Sequence, residues 1–546
     1  MAADPEKIPA KEAIDIDNGS HDSQDMEAGI TGHTLKKDLK NRHMQIIAIG
    51  GAIGAGLFVG SGGALSKGGP ASLIIGYSVV GIMLLFTCQA MAELAVLYPV
   101  NGAFYTYVVR FVDPSWGFAV GWDYALSWLT VLPFELIAAS ITIEYWREDI
   151  SMGVWVTVFL VILCVIQVFG VRGYGEVEFV LSMIKIAACL GFIILGIVIN
   201  TGGVGDRGYI GARFWHEPGA FRNGFNGFAS VFVIAAFSFG GTELVFWRIA
   251  FFYIVNLLIV GLILPSDDDR LLNSSGANTK ASPFVLAIQD AGIAVLPSIM
   301  NAVVTVAVIS VANSCTFGST RTMQALAEQG MAPKFLAYID KHGRPLWCVV
   351  IQLAFGLLSY LGLASEGTTV FNWLLAISGL SYFFVWGSLC LTHIRFRYIW
   401  KAQGYTLDQI PYRPGLGVWG SWIGLGLNVL CLIATFYSSL YPSPNAVPNA
   451  EDFFMSYLAA PIILALYLGW KTYTRDWRLW IPAEEVDLLS GLRMHIPGDD
   501  EKPVERTWKN LPMRIVKGLF QIRHAPGQPC TDRGGMNGFK VRDRAR

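Results

Sequence analysis

Twelve mostly apolar stretches punctuate this chain, near residues 45–65, 72–98, 116–143, 152–171, 178–200, 225–245, 246–264, 295–317, 346–363, 370–394, 416–440 and 453–470. Each approaches or exceeds the roughly twenty residues that an α-helix needs to cross a bilayer. In hydrocarbon the backbone must satisfy its own polar groups, so such stretches read as helices. The expected fold is therefore an all-α integral membrane protein of about twelve transmembrane helices. Composition agrees: 15% charged residues and a mean hydropathy of +0.47 are far from a soluble domain, where about a quarter of residues are charged.

Positive charge orients the spans. LKKDLKNRH before the first span, the loops holding Arg321, Lys334, Lys341 and Arg344, those holding Arg395, Arg397, Lys401 and Arg413, and the flank with Lys471, Arg475 and Arg478 all fall on one side of a twelve-span arrangement. Acidic or neutral loops such as PSDDDRLLNSS and YPSPNAVPNAEDF fall on the other. The rule that basic loops stay inside places both termini in the cytoplasm. Asn273, in NSS, then faces outward as a glycosylation acceptor. The expected division is a disordered N-terminal tail over 1–43, a membrane domain over 44–470 and a cytoplasmic C-terminal tail over 471–546. The polar tail lacks a cleavable-signal pattern, so the first span is expected to target the chain. Seven of the eight cysteines lie inside apolar segments without CxxC spacing, and neither a disulfide framework nor a metal site is expected.

One passage is cramped. From Phe225 to Leu264 the chain runs with only Glu243 and Arg248 charged, enough for two minimal spans and almost no turn. Merging them would move the later Arg-rich loops to the other side, so the charge pattern favours two spans, or a chain that has lost a connecting segment.

Two spans are interrupted by glycine. IAIGGAIGAGLFVGSGG, residues 47–63, clusters glycines that each cost a helix interior about 1 kcal/mol. VIAAFSFGGTELV, residues 233–245, places Gly240 and Gly241 in the sixth span. One interruption alone reads as close helix packing through small residues. Paired interruptions at corresponding positions of two halves mark the binding site of carriers built from inverted repeats. A Gly-rich nucleotide loop is the rival reading of GGAIGAG, but that motif must join a strand to a helix, and here it lies within an apolar span.

Four motifs in order, IGGAIGAGLFVGSG, MAELAVLYPVNGAFYTYVVRFVDP, FSFGGTELV and GSTRTMQALAEQGMAPKFLAYIDKHGRPL, make the chain resemble the fungal amino acid permeases of the amino acid-polyamine-organocation superfamily, over roughly residues 34–495. The resemblance implies twelve helices, the first ten forming two inverted five-helix repeats with helices 1 and 6 discontinuous. It also implies a proton-coupled symporter that imports L-amino acids across the plasma membrane. Relatives continue after GTELV with roughly twenty further residues that complete the inner end of the sixth helix and a cytoplasmic loop. Here Val245 runs directly into Phe246, and a misplaced intron in a gene model is the leading account, with a splice form or a genuinely shortened protein as the alternatives.

The residues themselves suit such a ligand. Backbone N–H groups around Ile53, Gly54, Ala55 and Gly56, at the positive end of a half-helix, suit a carboxylate. Freed carbonyls near Phe237, Ser238 and Phe239 suit an ammonium group, with Phe237 or Phe239 covering the side chain, and Gly240, Gly241 and Thr242 completing the break. Ionisable groups inside spans are costly enough to be presumed functional, and the resemblance implies a proton-coupling role for Lys185, with snorkelling toward the cytoplasm as its bland alternative. Glu135, after Pro133, and Glu243 are the other two candidates for proton coupling. Ser310, Asn313 and Ser314 offer polar groups to the coupling site, and Trp386 is expected to pack more than to gate. TYVVRFVDP reads as an interfacial linker. No His, Cys or carboxylate cluster has catalytic or metal spacing, so no enzyme activity, cofactor or nucleic-acid partner is expected. The expected partners are L-amino acids, protons, the lipid bilayer and cytoplasmic regulators of the tails. Broad-range uptake is the expected activity. A sensor that binds amino acids without moving them, or a non-functional product lacking the helix 6 to 7 connection, are the alternatives.

Overall fold

Helix α1, Ser61–Leu97, has 37 residues, about 55 Å of helix and nearly twice a bilayer's core. It cannot be one crossing. Gly69 breaks it, with φ 81° and ψ 170°, immediately before Pro70; a positive φ is open to glycine at little cost, and proline forfeits the helix bond that would bridge the break. The chain reverses there. Tyr77 Oη lies 2.8 Å from Ser238 Oγ, and a Cβ on Gly56 would lie 2.7 Å from the same oxygen, although a straight helix would hold residues 56 and 77 about 30 Å apart.

The computed structural model describes residues 53–147, 149–205, 207–241, 246–272, 282–363, 367–441 and 448–492. The expected tail over 1–43, Thr242, Glu243, Asn273 and residues 493–546 lie outside them. The further α-helices of eight residues or more are α2 (Ala103–Phe111), α3 (Pro114–Glu144), α4 (Met152–Val168), α5 (Gly170–Asn200), α6 (Gly224–Phe239), α7 (Phe246–Ile263), α8 (Pro283–Asp290), α9 (Leu296–Glu328), α10 (Leu346–Gly356, continued as a tighter helix to Leu363), α11 (Gly367–Ala402), α12 (Val418–Leu440), α13 (Ala450–Tyr457) and α14 (Ala459–Thr474). With α1 taken as two segments and α13 leading into α14, each expected span has at least a partial counterpart among the described helices, seven of which, with α1 counted once, are long and apolar enough to cross a membrane. No strand occurs among the described residues. The amphipathic linker forms α2, as its charge and apolar spacing predict.

Burial is inverted relative to a water-soluble protein. On α5, Ile194 is 66% exposed while Glu178 and Lys185 are fully buried; α4 and α12 likewise turn valine, leucine and isoleucine outward. Continuous apolar surface of this kind marks contact with lipid, and polar groups gather where helices meet. The protein is a multi-pass membrane protein.

Local signals set the element ends. The Asp113 carboxylate accepts from the backbone N–H groups of Ser115 and Trp116, and Pro114 occupies the first helical position, where its missing N–H costs nothing. Asp113 also pairs with Lys471 at 3.2 Å, tying the start of α3 to the end of α14. At the basic end of the bundle a second apolar cluster joins Leu94, Tyr98, Phe111, Phe396 and Trp400 to Val486 and Leu488 of the segment after α14. That segment is held through its backbone: Arg110 donates to the carbonyls of Asp487 and Ser490, Arg395 to Ile481, Gln403 to Ala483 and Val486, and Tyr98 to Leu488.

Candidate functional site

The two interruptions meet. Gly54, Ala55 and Gly56 lead into a wide helical turn, Gly56–Gly60, that enters α1, while α6 ends at Phe239 and the chain turns through Gly240 and Gly241 (φ 80°). A Cβ on Gly56 would come within 2.7 Å of the Ser238 Cα. The glycines are therefore what allows the two breaks to touch. Below them, a Cβ on Gly240 would strike the Tyr382 ring and one on Gly241 the Trp128 ring. Trp128 and Tyr382 pack edge to face at 6.4 Å, and Tyr382 stacks on Trp386 at 5.2 Å. Trp386 is fully buried, so it packs inside the protein.

Ile53, Ala55, Phe237, Ser238 and Phe239 are all buried, with the Phe237 ring against Phe134, which in turn stacks on Phe371. Among the expected carbonyls, Ser238 O accepts from the Tyr253 hydroxyl at 2.7 Å and Phe237 O from the Gly240 N–H at 3.2 Å. Each carbonyl oxygen accepts two bonds, which leaves capacity for an ammonium group.

Glu135 reaches the other break. Its carboxylate accepts a hydrogen bond from the Ala55 backbone N–H and lies within electrostatic reach of Lys185. Pro133, two residues earlier, removes the α3 hydrogen bond to the Leu129 carbonyl. The positive end of the first half-helix thus faces a carboxylate of the protein itself.

Lys185 does not snorkel. Its helix begins at Gly170 rather than at residue 178, so it sits about four turns inside, fully buried and paired with Glu178 Oε1 at 3.5 Å. Glu178 also accepts from Ser310 at 2.5 Å and from Ser182 at 3.4 Å. Ser314 accepts from the Tyr174 hydroxyl at 3.3 Å, and Asn313 accepts from Gln167 at 3.1 Å. Of the residues singled out in the eighth span, then, Ser310 faces the lysine's partner and the other two join helices. Glu178 escaped sequence reasoning because it stood at the expected boundary of the fifth span; its spacing of seven from Lys185 puts both on one helix face, the signal that was there to find. Asp123, fully buried and accepting from Ser381 at 2.8 Å, is a second intramembrane acid that was passed over.

The Amino acid permease family matches residues 43–246 and 244–483. This chain belongs to the amino acid permease family. The permease is 52% identical to an uncharacterized amino-acid permease of Schizosaccharomyces pombe, covering 90% of this chain and 86% of that one. It is 47% identical to cationic amino acid transporter 1 of the same yeast, covering 90% and 87%, and 46% identical to a general amino-acid permease of Saccharomyces cerevisiae, covering 88% and 84%. The family match divides at residues 244–246, the cramped junction. The alignment to the first relative runs to 516 positions yet occupies 90% of 546 residues, about 491, so about 25 positions have no residue in this permease. Between the end of α6 and the start of α7 the permease has six residues, 240–245, too few for the inner half of a broken helix.

Proposed function

We propose that this permease imports L-amino acids together with protons across the plasma membrane, with both termini in the cytoplasm and a broad substrate range. The observation that carries the reading is the contact of the two broken segments with the Glu135 carboxylate seated on the Ala55 N–H. An amino acid's carboxylate seeks the same donors around Ile53, Gly54, Ala55 and Gly56. While Glu135 is ionised, two anions compete for one positive helix end; a proton on Glu135 removes the competitor. Proton and substrate therefore favour each other's binding, and the coupling is reciprocal. The substrate ammonium group takes the remaining capacity of the Phe237, Ser238 and Phe239 carbonyls, beside the turn at Gly240 and Gly241, and Thr242 is the remaining binding candidate of that break. Lys185, within electrostatic reach of Glu135, is the group that receives the proton from Glu135 on its way inward, and Glu243 is the third proton-coupling candidate. With substrate and proton bound together, an inward proton gradient biases alternation toward uptake. The relatives named as a general amino-acid permease and a cationic amino acid transporter support the substrate class.

A second reading has its own observation. The six-residue junction favours a chain that binds amino acids but cannot complete the swing of the sixth helix. Uptake of radiolabelled leucine at two external pH values, in a permease-deficient yeast, tests both readings, comparing this chain with a version that carries a relative's connecting segment after Val245. Acid-stimulated uptake by either version supports the carrier. Uptake by the extended version alone assigns the defect to the junction, and uptake by neither overturns the proposal.

A further inference from the structure

We infer that Glu178 is the group through which the coupling proton leaves Lys185 for the basic face of the bundle; this rests on the proton-coupled reading above. Lys185 Nζ and Glu178 Oε1 stand 3.5 Å apart, both side chains fully buried. Ser310 and Ser182 hold Oε1, while Oε2 is buried and has no hydrogen-bond partner among the described residues. A carboxylate kept only to neutralise a lysine is best served by bonds to both oxygens, since each unsatisfied buried polar atom is costly; an open oxygen beside an ammonium donor is a place for a proton.

The direction follows from the helix. Glu178 is seven residues nearer than Lys185 to the start of α5, about 10 Å toward the basic face. Polar side chains continue that way. Tyr174 lies one turn further on α5 and donates to Ser314 of α9; its ring stacks on Phe317 at 4.8 Å, and the Arg321 guanidinium covers Phe317 at 4.3 Å. The ionisable groups facing this route are Lys185, Tyr174 and Cys189 on α5, Glu135 from α3 through Lys185, and Cys315 and Arg321 from α9. In the step itself an N–H bond of the Lys185 ammonium breaks and an O–H bond forms on Glu178, the nitrogen keeping its electron pair. The Glu178 proton then passes to water at the basic face, restoring the carboxylate and leaving Lys185 a neutral amine to be recharged from the opposite side.

The experiment separates exchange from accumulation in vesicles holding the full chain, with radiolabelled leucine as the solute. Exchange of label against preloaded leucine at equal pH needs binding and alternation but no net proton release. Accumulation driven by a pH gradient needs release. The expected result for Glu178→Gln is accumulation lowered at least tenfold while exchange falls by no more than about threefold, with Ser310→Ala between it and the wild type. Equal loss of both, or accumulation at the wild-type level, overturns the inference. Wild-type uptake indifferent to pH overturns the proton-coupled reading instead. Infrared pH-difference spectra of the purified chain stand apart from transport: a buried carboxyl band that disappears in Glu178→Gln supports the assignment, and a spectrum unchanged by that substitution overturns it.

Discussion

A methyl group on Gly56 would lie 2.7 Å from the Cα of Ser238, so backbone meets backbone where the two interrupted helices cross. Gly63, in the same glycine-rich stretch, has nothing within 4 Å of an added Cβ. Gly56→Ala is expected to destabilise by about 1–3 kcal/mol through overpacking, whereas Gly63→Ala is neutral or gains up to about 1 kcal/mol of helix propensity. Thermal unfolding of the two detergent-solubilised variants measures the contrast; equal midpoints would remove the contact from the account of the site.

Competition between the Glu135 carboxylate and a substrate carboxylate for the Ala55 N–H predicts the behaviour of Glu135→Gln. The neutral amide mimics the protonated acid and takes no part in proton exchange. Uptake by this variant should lose its dependence on external pH, while the affinity for leucine at neutral pH matches or exceeds the wild type's. A pH series of KM values checks both halves, and a variant whose acid stimulation persists places the coupling proton elsewhere.

Away from the site, Glu93 sits fully buried against Arg397 and His393. Arg397 Nη2 donates to Oε2 at 2.7 Å, Nε approaches Oε1 at 2.6 Å, His393 Nε2 lies 3.2 Å from Oε2, and the other ring nitrogen is 2.7 Å from Ser421 Oγ. This cluster ties α1, α11 and α12 together at the basic end. Removing one partner strands a buried charge, so Glu93→Ala is expected to cost about 3–5 kcal/mol and to appear as loss of the monodisperse, folded species in gel filtration. Retained thermal stability would mean that water reaches the pair.

The loop between α9 and α10 carries a pH-dependent contribution. Burial alone would push the Asp340 carboxyl up, but the Arg344 guanidinium at 2.7 Å and the backbone N–H groups of Arg344 and His342 outweigh it and hold the group below the ordinary carboxylate range. A carboxyl depressed in the folded state contributes stability above its unfolded value, near pH 4, and loses it as pH falls through the folded value. Wild type and Asp340→Asn should therefore differ most in melting temperature at neutral pH and converge below about pH 4. A difference that widens on acidification contradicts the sign.

The spans and the two broken helices were legible because hydropathy is set by the solvent each segment meets, and a bilayer is a demanding solvent; their ends were less so, since α5 begins at Gly170 and not at residue 178. What sequence could not supply were partnerships between helices far apart in the chain. Glu135 fits its expected depth, but its bond to Ala55 depends on α3 packing beside the first break. Glu178, Asp123 and the Glu93, His393 and Arg397 cluster find their partners on other helices, 132 positions away for Glu178 and Ser310 and 304 for Glu93 and Arg397. Single-segment patterns carry no trace of such pairings. Asp123 likewise reads as an ordinary residue until Ser381 is set against it.

The segment after α14 is gripped by Arg110, Arg395, Gln403 and Tyr98 through carbonyl oxygens alone. Every amino acid brings that same carbonyl. Such a grip recognises a path rather than a text, and most side chains along the path are free to drift without loosening it. The exceptions are the residues whose apolar chains pack against the helices, Ile481, Ala483, Val486, Leu488 and Leu492, and Asp487, whose carboxylate accepts from the Leu489 and Ser490 N–H groups; elsewhere the strip can acquire new charges, modification sites or docking words for other proteins while keeping its place beneath the helices.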